Sequence, residues 1–130
     1  MLKPLLSLAL TATLIASPTL ARERLTPDAQ YKKALEGRVA GQPVDCISLS
    51  QANNSQIIDG KAIIYKIGAT WFVNELRGNA AGLDDNDVLV TNTVTNRLCS
   101  TDSIRLVDRF TGVQTGFVLL GPFVPYKKAG

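Results

Sequence analysis

Asp84, Asp85 and Asp87 form the densest carboxylate group in this chain, within Leu83-Asp84-Asp85-Asn86-Asp87-Val88. Oxygen ligands this close together are the raw material of a calcium site. An EF-hand loop places ligands at alternate positions, with glycine at the sixth and an acid at the twelfth. Counted from Asp85, those places hold Val90 and Asn96. The pattern fails, so no metal is expected, and Arg77 to Asp87 reads as an exposed interaction loop carrying Arg77, Asp84, Asp85 and Asp87. General acid–base chemistry asks for less, only two carboxyls held roughly 5 to 9 Å apart in a cleft. Glu75, Asp102 and Asp108 are the acids that could meet this way. Each also has a local role open to it. Asp102 would cap a turn in Cys99-Ser100-Thr101-Asp102, and Asp108 would pair with Arg105 or Arg109 on a sheet surface.

Other chemistries are closed by composition. The 130 residues include no histidine, which removes Ser-His-Asp and Cys-His nucleophile pairs, the HExxH metal helix and imidazole zinc sites. Two cysteines cannot complete a Cys₄ zinc or iron–sulfur site. Gly60-Lys61 lacks the upstream glycine and following Ser/Thr of a phosphate loop, and no serine stands arranged for a Ser-Lys mechanism. No cofactor is expected. The basic residues are scattered, with only Lys32-Lys33 and Lys127-Lys128 adjacent, so no nucleic-acid partner is expected either. Tyr65, Trp71 and Phe123, with Phe72, could line an apolar ligand pocket in a small barrel. Their alternation fits ordinary core packing as well.

Cys46 and Cys99 stand 53 positions apart. Their meaning depends on where the chain goes. Lys3 gives a short positive start, Leu5 to Ala16 is an apolar run, and Thr19-Leu20-Ala21 places small side chains before a proposed cut. The run is too short for the roughly 20 residues that span a bilayer. Residues 1–21 therefore read as a cleaved signal peptide, giving a periplasmic or secreted chain starting at Arg22, with no stable membrane insertion. Removing the leader takes only Lys3, so the net charge falls from +3 to +2. In an oxidising compartment an even cysteine count favours a structural bond between Cys46 and Cys99. Two buried thiols, or a redox-active or metal-binding pair, stay open, although the CxxC spacing of thioredoxin-like proteins is absent.

Thr26-Pro27-Asp28 predicts a helix start, with threonine as N-cap, proline in the first turn and an acid behind it. Tyr31, Ala34 and Leu35 give it a thin apolar stripe, and Gly37 should stop it. Residues 22–45 thus read as a helix and linker, 46–126 as a β domain and 127–130 as a tail. Within the β domain, Gln56 to Asp59, Ala62 to Ile67 and Trp71 to Leu76 form a meander around the turns Asp59-Gly60 and Gly68-Ala69. Ile63, Tyr65 and Ile67 share one face of the middle strand. Val88 to Thr95, Ile104 to Arg109 and Phe117 to Leu120 follow as strands, and Gly121-Pro122 with Pro125 confine the last segment to an edge or a sheet exit. The expected fold is mainly β with one short N-terminal helix, a small antiparallel barrel or two-layer roll of about six strands.

Several pieces in order carry a resemblance. They are Cys46-Ile47, Ser55-Gln56-Ile57-Ile58-Asp59, Val73-Asn74-Glu75-Leu76, Leu98-Cys99-Ser100-Thr101-Asp102-Ser103-Ile104 and Leu120-Gly121-Pro122-Phe123-Val124-Pro125. Over residues 46 to 126 the chain resembles a family of small, uncharacterised secreted proteins of proteobacteria, a domain of unknown function. Similar proteins carry further cysteines where this chain has Ala80-Ala81 and Val118-Leu119. The resemblance implies export, a β domain and Cys46 with Cys99 as the surviving pair, and it supplies no activity. The expectation is an exported, non-catalytic module that binds a protein or envelope component through its β surface and the 77–87 loop. That reading requires a groove or apolar patch beside the loop. Its rivals are a small apolar-ligand carrier around Tyr65, Trp71 and Phe123, and a hydrolase built on two of Glu75, Asp102 and Asp108.

Overall fold

A computed structural model describes residues 9, 11–14, 24–52 and 54–130. The leader cut after Ala21 lies outside the described residues. Among those described, no helix is long and apolar enough to cross a membrane. The chain forms helix α1 (Pro27–Ala34) and ten strands: β1 (Arg38–Ala40), β2 (Cys46–Ser48), β3 (Asn54–Ile58), β4 (Ala62–Ile67), β5 (Thr70–Glu75), β6 (Asp87–Thr91), β7 (Arg97–Cys99), β8 (Ser103–Asp108), β9 (Gln114–Leu119) and β10 (Phe123–Lys128).

The helix starts as its sequence dictates. Thr26 Oγ1 accepts a hydrogen bond from the Ala29 N–H at 3.2 Å, satisfying one of the free donors of the first turn. Asp28 and Lys32-Lys33 complement the helix dipole at its two ends. Its thin stripe, Tyr31, Ala34 and Leu35, lies on the outer face of a sheet, against Ile58, Ala62, Ile64 and Val73.

That sheet has five antiparallel strands in the order β1-β10-β5-β4-β3. The expected meander is its β3-β4-β5 part. Ile67 pairs with Thr70 across Gly68-Ala69, with Gly68 at φ 57°. Positive φ at the first of two turn residues is the hairpin geometry that favours glycine there. Alternation on β4 then sorts the core: Ile63 and Tyr65 point inward, while Ala62 and Ile64 meet the helix side. Two smaller antiparallel sheets, β2-β7 and β6-β8-β9, supply Ile47, Leu98, Ile104, Leu106 and Val118 to the same inner core.

The expected outline needs correction at four points. The described residues form ten strands rather than about six, in three sheets and no closed barrel. The segment read as linker contains β1, which pairs with β10, and β10 runs on into the expected tail as far as Lys128. The strand expected to reach Thr95 ends at Thr91, beyond which Val94 stands fully in solvent. Finally, Pro125 lies inside the five-stranded sheet, between β5 and β1. It fits because the chain leaves the ladder beside it at Gly41-Gln42-Pro43. The Gly41 N–H donates to the Pro125 carbonyl at 2.7 Å, and pairing resumes where Val44 and Phe123 exchange two bonds. The N–H that proline lacks falls at this bulge, where no acceptor needs it.

Two internal ties complete the frame. Cys46 and Cys99 face each other in register on β2 and β7 and are joined by a disulfide. Ser100 N–H donates to Asp45 O, which makes the cysteines a non-hydrogen-bonded pair, where side chains approach most closely. Asn74, fully buried, clamps Gly121: its Nδ2 donates to the Gly121 carbonyl at 2.7 Å, and its Oδ1 accepts from the Gly121 N–H at 2.9 Å.

Candidate functional site

The three carboxylates offered for acid–base chemistry are not gathered. Glu75 accepts from the Tyr31 hydroxyl at 3.0 Å, on the helix side of the large sheet. Asp102 caps its own turn as expected, accepting from the Cys99 N–H at 2.7 Å. Asp108 pairs with neither Arg105 nor Arg109. It holds the β8–β9 hairpin instead, its Oδ1 accepting from Phe110 N–H, Thr111 N–H and Thr111 Oγ1. Bonds from Thr111 backbone and hydroxyl, then from Phe110, keep the Asp108 carboxyl below its ordinary value. A depressed folded-state pKa lends stability above the unfolded carboxyl range, about 3.9, and loses it as pH falls through the folded value. The urea midpoints of the native chain and Asp108→Asn should therefore differ near neutrality and converge below that range. Midpoints that stay equally far apart at every pH would sink this account.

The aromatic trio is divided. Tyr65 and Phe123 meet edge to face in the inner core, with ring centroids 5.9 Å apart. Trp71 pairs with Lys66 and so lies on the opposite face from Tyr65. There Arg38 and Lys66 sit over its ring, at 3.8 and 4.3 Å from the centroid, in cation–π range. No single pocket can use all three. The signal was present in the sequence, because a two-residue turn at Gly68-Ala69 sets 66 opposite 71 and 65 opposite 72.

The 77–87 loop is less exposed than expected. Arg77 is exposed, and its backbone N–H donates to Leu119 O at 2.8 Å. Leu83 is buried in the core, and Asp87 is buried as the first residue of β6. Its carboxylate accepts from the Asp84 N–H and the Thr115 hydroxyl, which explains how an acid tolerates that place. Asp84 and Asp85 remain at the surface. One carboxylate oxygen from each of Asp59, Asp84 and Asp85 lies within 4.8 Å of the others. The Arg24 guanidinium pairs with both Asp59 and Asp85, supplying positive charge to this corner.

The most distinctive surface is the outer face of the β6-β8-β9 sheet. Cross-strand register lines up Val88 with Val107, and Val90 with Arg105 and Phe117. Alternation makes these the residues that turn away from Leu89, Ile104, Leu106 and Val118 in the core. Val88 is 42% exposed and Phe117 49%, and the hairpin tip adds Phe110 at 80% and Val113 at 61%. Beside this face, Gly78 bridges Leu119. A groove of about 330 Å³ runs between Asn79, Ala81 and Gly82 of the loop and Thr115, Gly116 and Phe117 of β9. An apolar patch and a groove thus stand next to the 77–87 loop. Sequence reading placed Phe117 in a strand but could not choose its face, because Gly116 and Thr115 give no alternation to read.

No protein-family model, curated protein or solved structure matches this chain.

Proposed function

We propose that this chain is an exported, non-catalytic module that binds a protein of the cell envelope through the outer face of its β6-β8-β9 sheet. The observation that carries the reading is the exposure of Val88 and Phe117 beside Arg105 on this face, with Phe110 and Val113 exposed at the adjoining hairpin tip. Aromatic residues and arginine are the types enriched at the centres of protein interfaces, and clustered exposed apolar groups mark such sites. Export is supported by the leader-like start, by the cysteine pair joined across β2 and β7, and by the resemblance of residues 46–126 to small secreted proteins.

A photo-crosslinking side chain placed at position 117 in cells tests the reading, with exposed Val39 on the five-stranded sheet as the control position. The expected result is one discrete adduct with an envelope protein from position 117, none from 39, and loss of the adduct in Phe110→Ser. As a surface change, Phe110→Ser should move stability by no more than about 0.5 kcal/mol. Equal labelling from both positions, no adduct, or an adduct of twice the chain's own mass would overturn the proposal. The mass of the periplasmic protein tests export separately: it should begin at Arg22.

A further inference from the structure

Two strand edges that have no neighbour among the described residues face one another. β3 is the last strand of the five-stranded sheet and β6 the first of the three-stranded one. Two adjoining cavities fill the space between them, of about 330 Å³ beside Tyr65 and Thr91 and about 300 Å³ beside Ile57 and Asp87. Ser55 and Leu89 line both, so the two are parts of one groove.

Hydrogen-bond phase shows what the groove offers. The tight turn makes Ile67 and Thr70 a hydrogen-bonded pair, so Ile64 and Lys66 direct their backbone groups to β3, where they meet Gln56 and Asn54. Ser55 and Ile57 therefore turn their N–H and C=O to the open side. On β6, Asn86 O accepts from the Arg109 N–H at 3.2 Å, which directs Val88 and Val90 toward β8. Leu89 and Thr91 are left facing the groove. Gly60 N–H to Leu83 O at 2.9 Å, and Asp85 N–H to Asp59 Oδ1 at 2.8 Å, tie the end of β3 to the approach to β6. The two edges thus run antiparallel, fixed at one end and, among the described residues, unpaired along their length.

A second observation points into the same space. The Tyr65 side chain is 5% exposed, lines the groove, and carries the one buried side-chain polar atom among the described residues without a hydrogen-bond partner. A buried hydroxyl left unpaired carries an uncompensated desolvation cost, which a carbonyl delivered to it would recover.

We propose that the β3–β6 groove takes one extended polypeptide segment of a partner protein as an added strand. The segment pairs with the outward N–H and C=O groups of Ser55, Ile57, Leu89 and Thr91, and one of its carbonyls accepts from the Tyr65 hydroxyl. Unpaired edges select a polypeptide backbone, because only another strand satisfies donors and acceptors at this repeat. One inward side chain of the segment meets Leu49 and Ala52, so an apolar residue belongs there. The groove adjoins the apolar outer face at Val88, but Ser55, Ile57, Leu89, Thr91 and Tyr65 take no part in that face and Phe117 takes none in the groove, so either site can fail without the other.

The probe is a displayed library of random octapeptides, with selected peptides then measured as free synthetic molecules. Expected binders carry an apolar residue at alternate positions, protect the Leu89 and Thr91 amides from hydrogen exchange, and lose affinity when alternate backbone nitrogens are methylated. Thr91→Pro removes only an outward N–H on an edge strand, so it should abolish binding while the melting temperature holds. Tyr65→Phe should weaken binding about tenfold, while removing an unpaired buried hydroxyl leaves the fold intact. Phe117→Ser should leave peptide affinity unchanged. Absence of any selected peptide, or peptides that bind both variants as well as the native chain, would overturn the proposal. So would a dimer of this chain that Thr91→Pro dissolves, since the occupant would then be a second copy.

Discussion

Replacing Cys46 and Cys99 together by alanine is expected to lower the free energy of unfolding by about 4 kcal/mol, the chain-entropy value for a loop of this length. The bond spans 53 residues and staples β2 to β7, strands of three residues each. A two-stranded pair that short has no independent stability. Yet it brings Ile47 and Leu98 into the inner core. Domains of this size have only 5–15 kcal/mol in hand, so the melting temperature should fall by roughly 15–30 °C. Urea unfolding of the native and double-alanine chains measures the difference. A loss below about 1 kcal/mol would show that β2 and β7 are held by packing alone.

The second large effect is expected at Asn74. Asn74→Ala strips the Gly121 N–H and C=O of both partners in a site with no access to water. Each orphaned buried group costs about 1–3 kcal/mol, so a total of about 3–4 kcal/mol is expected, before any cavity cost. Gly121→Ala attacks the same joint from the other side, since a Cβ there would stand 2.7 Å from the Glu75 carbonyl oxygen. Asn74→Asp is the discriminating control. It keeps the acceptor for Gly121 N–H but sets an oxygen against the Gly121 carbonyl, and should be at least as damaging as alanine. Two substitutions that leave the unfolding midpoint unmoved would mean the clamp is decorative.

How far the fold was legible depended on whether its contacts were local. The β3-β4-β5 meander could be read because Gly68-Ala69 and the alternation of Ile63, Tyr65 and Ile67 lie within a few residues of the pairing they direct. Helix α1 was legible from Thr26 to Gly37 for the same reason. β1 and β2 were not, since three residues carry no period and their partners lie far along the chain, β10 for one and β7 for the other. Pro125 misled because its missing donor falls opposite a bulge at Gly41, a fact settled by chain segments 84 positions apart. Of the site residues, the cysteine pair followed from the even count and from the expectation of export. The β3–β6 groove did not, because an unpaired edge is a property of strand order, and Ser55 or Leu89 looks the same in sequence whether its backbone is paired or open.

The position of β10 has a consequence for how the molecule is made. The last strand of the chain lies between β5 and the first strand, so two of the four ladders in the large sheet wait for residues 123–128. Contacts this distant along the chain slow folding, because the loop must close before the ladder rewards it. A chain without residues 123–128 leaves β5 with a bare edge and β1 with no partner. A truncation before Phe123 should therefore stay open and protease-sensitive, because both ladders of β10 are then missing.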